Sequence, residues 1–349
     1  MDTSSQEPKD LAPGPQSGVL EPALEGRRIL ITGAGAFIAG HLAERLLQQG
    51  SKVRGLVRSP AKASWLATQG VDVTAGDLRD PDALYVAATD CWAVVHAAAW
   101  TGGASLDAGE GWRINVEGTR NALAAARRAN AQRFVYISSV AVYGLNAAPI
   151  IDEAMPIVPV GEAYPDSKIA AEGAVRASGL PYVIVRPAST YGPRGGAWTL
   201  SPIQHIKHNR LVLLGRDAGL VTPGYIDNLV DGLLLTLSSP AALGEAFNLC
   251  DDRAVTYRTF YMAYAHMLGR ERLPTLPAWM ARLARSSPGR LARRLTGKRA
   301  VGPWSLHFRT NPSQYSIGKA QRLLGYAPQV GFDEGMRRTE AWLRAEGVI

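Results

Sequence analysis

Tyr164 and Lys168 lie four residues apart in the run of residues 164–168, a spacing that suits proton transfer. On a helix, residues i and i+4 share one face, so the phenol and the ammonium can point the same way. A free tyrosine has a pKa of about 10, and a nearby cation stabilises the phenolate and lowers that value. The pair can then protonate a carbonyl oxygen or take a proton from an alcohol.

Two features upstream suit the same chemistry. Ser138 and Ser139 close an apolar run, and a serine hydroxyl can hold the oxygen that gains or loses the proton. Residues 31–40 form a glycine-rich turn after the first apolar run, a pattern typical of a dinucleotide site. A tyrosine and a lysine at this spacing often lie on a solvated helix face. Together with the serines and the turn, they indicate hydride transfer to a carbonyl or from an alcohol.

From residue 27, short apolar runs alternate with amphipathic stretches. The runs predict strands over 28–33, 52–58, 71–77, 93–98, 133–139 and 182–187. The stretches predict helices that include 37–49, 112–129 and 165–178. Nearly continuous apolar strands separated by helices are typical of a parallel sheet covered on both faces. The predicted fold is therefore α/β, a doubly wound, Rossmann-like parallel sheet with its ligand at the carboxyl ends of the strands.

After about Arg194 this rhythm loosens. The pattern predicts helices over 226–239, 256–269, 319–324 and 333–346, and a strand over 246–250. We expect a smaller C-terminal lobe that closes over the substrate, with some elements returning to the main sheet. The predicted division is a disordered tail over 1–26, a dinucleotide-binding domain over 27–200 and a substrate-binding lobe over 201–349.

The formal net charge of +8 is concentrated in one segment. Residues 270–309 hold ten basic side chains and one acid, Glu271, which leaves the rest of the chain near −1. Charge confined to one surface argues against a nucleic-acid-binding fold. Cys91 and Cys250 are too few for a disulfide framework and indicate a reducing compartment. Because neither a secretory signal nor a long apolar run is present, we expect a cytoplasmic protein without a spanning helix.

A series of short motifs follows along the chain in a characteristic order. The motifs are Thr32-Gly33 with the following turn, Gly76-Asp77-Leu78, His96-Ala97-Ala98, residues 115–119, residues 138–144, Tyr164 with Lys168, residues 186–193 and Tyr225-Ile226-Asp227. In this order they resemble the extended short-chain dehydrogenases/reductases. The likeness covers about residues 27–347. It is greatest to the branch of 3β-hydroxysteroid dehydrogenases, dihydroflavonol reductases and nucleoside-sugar epimerases.

The resemblance implies roles for named residues. The catalytic residues would be Ser139, Tyr164 and Lys168. The cofactor-binding residues would include Gly33, Gly35, Ala36, Phe37, Ile38, Asp77, Leu78, Ala97, Ala98, Lys168, Pro187 and Ser189. Within that set, Asp77 and Leu78 would flank the adenine, Lys168 would also reach the nicotinamide ribose, and residues 187–189 would line the nicotinamide.

The turn departs from the pattern Gly-x-x-Gly-x-x-Gly of the family. Its three positions are Gly33, Ala36 and Ala39, while further glycines stand at Gly35 and Gly40. Glycines in such turns let the backbone approach the pyrophosphate and let the helix pack close to the strand. A methyl group at position 36 crowds a phosphate unless Gly35 relaxes the turn, whereas a helix–sheet contact tolerates one methyl at position 39. We still expect the turn to bind a cofactor.

The end of the second predicted strand bears on the choice of cofactor. An acid there would hold the ribose 2′-hydroxyl, but the chain has Arg58, and no acid occurs before Asp72. An arginine can pair with a 2′-phosphate and stack on the adenine, with Lys62 assisting. Arg58 therefore favours NADP(H) over NAD(H), a solvated arginine being the alternative.

Three histidines and one asparagine are candidates for other roles. By family likeness, Asn115 fastens neighbouring strand ends, and we interpret His96 as the same kind of structural residue. His205 and His208 have i, i+3 spacing and can share a metal, but no third ligand accompanies them. We therefore predict no metal site.

The substrate-side candidates are Trp100, Tyr143, Tyr191 and Trp198, with Leu200 beside them. They suit an apolar or aromatic body, and ordinary core or lid packing is the alternative for each. Segment 276–299 mixes apolar and cationic positions at helical spacing. Such a segment can lie on an anionic membrane surface, and a solvated basic cover on the small lobe is the alternative.

The first functional hypothesis is NAD(P)H-dependent reduction of a ketone to a secondary alcohol, or the reverse, through a Ser-Tyr-Lys relay. Its substrate would be a hydrophobic polycyclic or prenylated small molecule. The second hypothesis is a nucleotide-sugar epimerase or dehydratase with tightly bound NAD. The third, a non-catalytic NADPH sensor or scaffold, is disfavoured by the complete catalytic set. The substrate, the reaction direction and a homodimeric state stay open at this point.

Overall fold

Seven parallel strands form the central sheet of the protein. A computed structural model describes residues 24–101, 108–214, 219–277 and 311–349 of the chain. The strands are Arg28–Thr32 (β1), Lys52–Val57 (β2), Asp72–Ala75 (β3), Ala93–His96 (β4), Arg133–Ile137 (β5), Tyr182–Pro187 (β7) and Ala246–Leu249 (β12). Their order across the sheet is β12-β7-β5-β4-β1-β2-β3, and each neighbouring pair is parallel. This is the predicted doubly wound arrangement.

Helices cover both faces of the sheet. In the first half they are Phe37–Gln48 (α1), Ser64–Thr68 (α2), Pro81–Ala88 (α3), Ala108–Trp112 (α4), Gly118–Arg128 (α5) and Ala163–Arg176 (α6). In the second half they are Ser201–Lys207 (α7), Ile226–Ser238 (α8), Tyr257–Met267 (α9), Gly318–Leu324 (α10) and Phe332–Ala345 (α11). Short π-helical turns occur at Arg113–Glu117 and Gly196–Leu200.

Alternate strand residues feed two separate cores. Ile29, Val95 and Val135 lie in the core on one face, whereas Val94 and Phe134 lie in the core on the other. Successive strand residues point to opposite faces, so strands buried on both sides must be apolar at nearly every position. This explains the continuous apolar runs, and it leaves the strand ends as the places where polar groups can meet a ligand.

Smaller strand pairs surround this sheet. They are Ile150–Ile151 (β6), Ser189–Tyr191 (β8), Leu213–Leu214 (β9), Leu220–Val221 (β10), Pro223–Tyr225 (β11), Val255–Thr256 (β13), Thr275–Leu276 (β14) and Gln314–Tyr315 (β15). β6 pairs with β15, and β8 pairs with β11. β12 joins the main sheet beside β7, so the second half does return an element to it. The division at residue 200 stays a prediction.

The predicted strands and helices occur where expected, and most of their ends differ by one or two residues from the prediction, while the predicted helix over 112–129 divides into the π-helical turn and α5. The predicted tail over 1–26 is wrong at its end, because Leu24 is buried in the core and its carbonyl accepts a hydrogen bond from Ser51 Oγ at 2.8 Å. Most of segment 276–299 lies outside the described residues. Among the described residues, no helix is long and apolar enough to cross a membrane.

Candidate active site

The turn after β1 approaches the end of β4 very closely. Gly33 has φ +68°, and a Cβ atom built on it would stand 2.9 Å from the Cα of Ala98. A positive φ strains any side-chain-bearing residue, and the backbone of Ala98 cannot retreat cheaply. β1 and β4 are neighbours at the point where the strand order reverses, which is where doubly wound sheets bind their ligands. Gly33 therefore lies at the base of a crevice between the carboxyl ends of β1 and β4.

The N-terminus of α1 opens into the crevice. Ala36 precedes the helix and is exposed, no side chain caps the helix, and its first turn holds no acid. Free backbone N–H groups and the helix dipole favour an anion at such an end. Ala39 is fully buried, so its methyl group is absorbed by packing between the helix and the core. The crevice therefore fits the phosphates of a dinucleotide despite the two alanines.

The adenosine side of the crevice carries two arginines. Arg58 follows β2 and is exposed. Arg79 donates two hydrogen bonds of 2.8 Å to Asp77 and one of 2.7 Å to Glu110. The Arg79 hydrogen bond, with the charge of Arg58 as a smaller cause, lowers the pKa of Asp77 to about 2. Asp77 is therefore a carboxylate already held by Arg79, while Arg58 projects into solvent.

Ser139 and Tyr164 meet beyond the carboxyl end of β5. The Ser139 hydroxyl lies close enough to the Tyr164 phenol to lower its pKa, and Ser139 Oγ accepts a hydrogen bond from the Ala141 amide at 3.1 Å. Tyr164 stands in the first turn of α6, where the carboxylate of Asp166 accepts from the amides of Val160 and Gly161. That contact fixes the start of the helix.

Lys168 lies one turn further along α6 and is buried. Its Nζ donates to the carbonyl oxygen of Ile137 at 2.8 Å and stands 4.9 Å from the ring centroid of Tyr136. Burial lowers the pKa of Lys168 to about 7, and the carboxylate of Glu172 opposes that fall. The ammonium is thus anchored to β5.

The direction of the tyrosine pKa differs from the sequence expectation. Burial raises the pKa of Tyr164, and the hydrogen bond with Ser139 counters only part of the rise. The net shift is therefore opposite to the fall expected from a nearby cation. Desolvation of the phenolate is the largest effect on this pKa.

His96 ties β1, β4 and α5 together below the crevice. Its Nδ1 lies 2.9 Å from Thr32 Oγ1, and its Nε2 lies 3.0 Å from Thr119 Oγ1. Thr119 donates its proton to the carbonyl of Asn115 at 2.6 Å, so His96 Nε2 carries the hydrogen and donates to Thr119. Burial, with a smaller effect of the charge on Lys168, lowers the pKa of His96 to about 3. The ring is neutral and structural.

Asn115 fastens the loop after β4 to α6. Its side chain pairs with both the amide and the carbonyl of Trp100, at 2.7 and 2.8 Å, and donates to Ser167 Oγ at 2.9 Å. Ser167 in turn donates to the carbonyl of Tyr164 at 2.8 Å. The sequence interpretation of Asn115 as a fastening residue agrees with these contacts.

Sequence reasoning missed a buried ion pair close to Lys168 on α6. Glu172 accepts from Arg186 at 2.9 and 2.7 Å, and both side chains are almost fully buried. Ser138 donates to the same carboxylate at 2.6 Å. The available signal was the spacing, since Glu172 continues the i, i+4 series of Tyr164 and Lys168.

Two of the four substrate candidates lie in the interior. Tyr143 is 2% exposed, accepts from Arg186 at 2.9 Å and donates to Asn248 at 2.7 Å. Tyr191 is fully buried, packs against the rings of Tyr225 and Phe260, and donates to a backbone carbonyl. The expectation of substrate contact is wrong for both, because neither presents surface to a ligand.

The two tryptophans are half-buried. Trp100 lies against Gly111, and its indole N–H is buried with no hydrogen-bond partner among the described residues. Trp198 packs edge-on against Phe260. His205 and His208 are exposed and each contacts a backbone carbonyl of its own helix. No cluster that could hold a metal occurs within the described parts of the chain.

Comparison with known proteins identifies the family. The NAD dependent epimerase/dehydratase family matches residues 29–250. The chain belongs to this family. It is 30% identical over 318 residues to the 4-hydroxy-2-methyl-3-oxo-4-farnesyl-3,4-dihydroquinoline-1-oxide ketoreductase of Stigmatella aurantiaca, covering 88% of this chain and 94% of the relative. It is 29% identical over 336 residues to the 3 beta-hydroxysteroid dehydrogenase/Delta 5-->4-isomerase of Mycobacterium tuberculosis, covering 86% of each.

Solved structures share the fold. The dTDP-glucose 4,6-dehydratase DesIV of Streptomyces venezuelae, solved with NAD bound, has a TM-score of 0.74 and 24% identity over 91% of this chain and 97% of its own. Family and relatives together confirm the resemblance to extended short-chain dehydrogenases/reductases. The protein is an NAD(P)-dependent enzyme of the dehydrogenase/reductase type.

Proposed function

We propose that the protein reduces a ketone to a secondary alcohol, or catalyses the reverse, with Ser139, Tyr164 and Lys168 as catalytic residues. The observation that carries this proposal is that Ser139, Tyr164 and Lys168 come together at the carboxyl end of β5, with the Ser139 hydroxyl close enough to the Tyr164 phenol to lower its pKa. Lys168 stands one helical turn away, anchored to the same strand end. A ketone oxygen placed between the two hydroxyls would meet a hydrogen-bond donor and a proton donor at once.

The residues divide the reaction among them. When bound, the reduced nicotinamide supplies the hydride that the carbonyl carbon receives. Ser139 holds the substrate oxygen, and Tyr164 gives it the proton that completes the alcohol. Burial disfavours the phenolate left on Tyr164, and the neighbouring Ser139 hydroxyl favours it. In this proposal the positive charge of Lys168 adds to that stabilisation until a proton returns from solvent. The reverse reaction uses the same groups in the opposite order.

We further propose that NADP(H) is preferred over NAD(H). Arg58 is exposed at the end of β2, beside the strand end that normally carries an acid for the ribose hydroxyl. A guanidinium there can pair with a 2′-phosphate in two-pronged geometry. The family description names NAD, and NADP differs from NAD only by that phosphate.

For the substrate we propose a hydrophobic polycyclic or prenylated molecule. The named substrates of two relatives, a farnesylated dihydroquinoline oxide and a 3β-hydroxysteroid, are of this kind. On the chain itself, Trp100 offers an apolar ring and a buried, unpartnered N–H among the described residues, which suits an apolar body with one acceptor. We expect residues 201–349 to close over that body.

Oxidation of reduced nicotinamide by the purified protein tests the proposal. A panel of steroid, quinone and prenylated ketones is offered with NADPH and with NADH, and the ultraviolet absorbance of the reduced cofactor is followed. Ketone-dependent consumption that Tyr164→Phe abolishes supports the proposal. The proposal is contradicted if the protein neither consumes reduced cofactor with any ketone of the panel nor forms it from the corresponding alcohols.

The second candidate is a nucleotide-sugar epimerase or dehydratase, favoured by the fold shared with the dTDP-glucose dehydratase. Such an enzyme turns over without net change in the cofactor. Conversion of a UDP- or dTDP-sugar by the protein as purified, with no added nicotinamide, would therefore replace the first proposal with this one.

Contact with a membrane surface through 276–299 is a separate proposal from the sequence. Sedimentation with anionic liposomes at low salt, reversed as salt rises, would support it, because exposed charge attraction is screened within about 8–10 Å. Absence of sedimentation at every salt concentration would leave the segment as a solvated cover.

A further inference from the structure

Three side chains of α6 form one row that faces the end of β5; they are Tyr164, Lys168 and Glu172, each four residues from the next. Their partners, in the same order, are the Ser139 hydroxyl, the Ile137 carbonyl oxygen at 2.8 Å and the Ser138 hydroxyl at 2.6 Å. We call these three side chains the α6 row. Every member of the row is thus tied to one of three consecutive residues of the strand end.

Glu172 is the most heavily bonded member of the α6 row. Its carboxylate accepts from Ser138 at 2.6 Å, from Arg186 at 2.9 and 2.7 Å, and from Arg176 at 3.1 Å. Arg186 also donates to Tyr143 at 2.9 Å. An ion pair buried this deeply loses several kcal/mol of solvation and is weak evidence for stability alone. Its geometry, which fixes one helix against two strands, points to a positional role.

We propose that Glu172, clamped by Arg186, is a positioning residue that holds α6 in register against the end of β5 and so sets the separation of Ser139 and Tyr164. This inference rests on the proposed function, since the pair it positions is the proposed proton relay. Ser138 is the direct link, because it precedes Ser139 and bonds the carboxylate.

The charges around the α6 row give the proposal a signature in pH. Lys168 Nζ lies 4.9 Å from the ring centroid of Tyr136, its charge acts on His96, and the charge of Glu172 on its own helix acts on it. Glu172 raises the pKa of Lys168 against the effect of burial. Removing the carboxylate therefore lowers the pKa of Lys168. Removing Arg186 leaves the carboxylate less neutralised, with only Arg176 paired to it, and raises the pKa of Lys168.

The test compares E172Q and R186Q by the pH dependence of kcat and by KM. We expect each variant to lose about ten- to a hundredfold in kcat, because a misplaced proton donor costs rate, and to keep KM for cofactor and ketone within about twofold. The alkaline fall in kcat, where Lys168 loses its proton, should move to lower pH in E172Q and to higher pH in R186Q. Shifts of the alkaline fall in the same direction in both variants, or a loss of activity seen only as a higher KM, would overturn the proposal.

A single variant leaves one buried charge without its partner and can prevent folding. The double variant E172Q/R186Q removes both charges, and its crystal structure gives a measure independent of turnover. We expect the Ser139 Oγ to Tyr164 Oη separation to widen. An unchanged separation, or wild-type kcat in this variant, would refute the positional role.

A matched control is E340Q, since Glu340 pairs with Arg344 at 2.6 Å on the exposed face of α11. We expect wild-type kcat in E340Q. If the wild type shows no Tyr164-dependent ketone reduction, the proposed function fails. If the wild type is active and E172Q behaves like it, only the positioning inference fails. The structure of the double variant tests the positioning inference whether or not the wild type is active.

Discussion

The two halves of the crevice hold their functional groups in different ways. Around β1 and β2 the groups that suit a cofactor are backbone amides at the start of α1 and the exposed Arg58. Around β5 and α6 the functional groups are buried side chains that make hydrogen bonds, among them Lys168 and the Glu172–Arg186 pair. The first half depends on backbone shape and tolerates Ala36 and Ala39. The second half depends on particular side-chain atoms, so we expect it to tolerate fewer substitutions.

The largest effect expected from this contrast is at Tyr164. Tyr164→Phe removes one hydroxyl and no packing, so fold and cofactor affinity should persist. Loss of a general acid should lower kcat about 10²- to 10⁴-fold. Stopped-flow single turnovers and cofactor titration by fluorescence separate the two effects.

Ser139→Ala and Ser138→Ala sharpen that result. Ser139 lies beside the Tyr164 phenol and lowers its pKa, whereas Ser138 donates to Glu172, so the first change should reduce turnover more. A Tyr164→Phe variant that kept wild-type kcat would remove the chemical distinction between the two halves of the crevice.

Arg58→Ala should give the next largest effect, in the first half of the crevice. Loss of a charge-assisted pair with a phosphate costs about 1.5–3 kcal/mol, roughly ten- to a hundredfold in affinity. KM for NADPH should rise by that factor and KM for NADH should stay nearly the same. Lys62→Ala, close by in sequence, is the comparison variant and should have the smaller effect. A wild-type enzyme that prefers NADH would contradict the role given to Arg58.

Gly33→Ala tests whether backbone shape governs this half. The positive φ and the 2.9 Å approach to the Ala98 backbone should together cost about 1–3 kcal/mol in the free energy of unfolding. Gly35→Ala is the matched change, because its added Cβ would meet only Ala63 at an ordinary 3.5 Å. Urea denaturation compares the two. Equal losses would mean that Gly33 is not specially constrained.

The same contrast explains what the sequence could predict. Strands buried on both faces are apolar at nearly every position, so β1, β4, β5 and β7 were visible as runs, and a doubly wound parallel sheet followed from the α/β alternation. Tyr164, Lys168 and Ser139 were found because their spacing reports local helix and strand geometry. Local spacing carries no information on which distant side chain closes a hydrogen bond.

Contacts between distant parts of the chain were accordingly missed. The link from Glu172 to Arg186 and on to Tyr143 joins a helix, a strand and a turn, so a correct pattern at each did not reveal it. Tyr143 and Tyr191 were misplaced for the same reason, because the position of an aromatic residue next to a motif does not show whether its side chain faces a ligand or the core. Leu24 was assigned to the tail because one buried leucine leaves no periodic pattern.

The smallest effect concerns His96, which belongs to neither half and joins their strands. The unfolded chain gains a proton on this residue below its ordinary pKa of 6.5, whereas the folded chain resists until about 3. By itself this difference should lower the free energy of unfolding by roughly 1 kcal/mol per pH unit as pH falls through this range. Two other groups titrate in the same window: burial also lowers the pKa of His41, which adds to the fall, and burial raises the pKa of Asp251 to about 6, which opposes it. His96→Gln should therefore remove the His96 contribution from the dependence of urea-derived stability on pH between 4.5 and 6.5, and His208→Gln, at an exposed position, should keep the wild-type dependence. A slope retained in His96→Gln would mean that another group carries the proton linkage and that the buried ring is not what couples β1, β4 and α5 to pH.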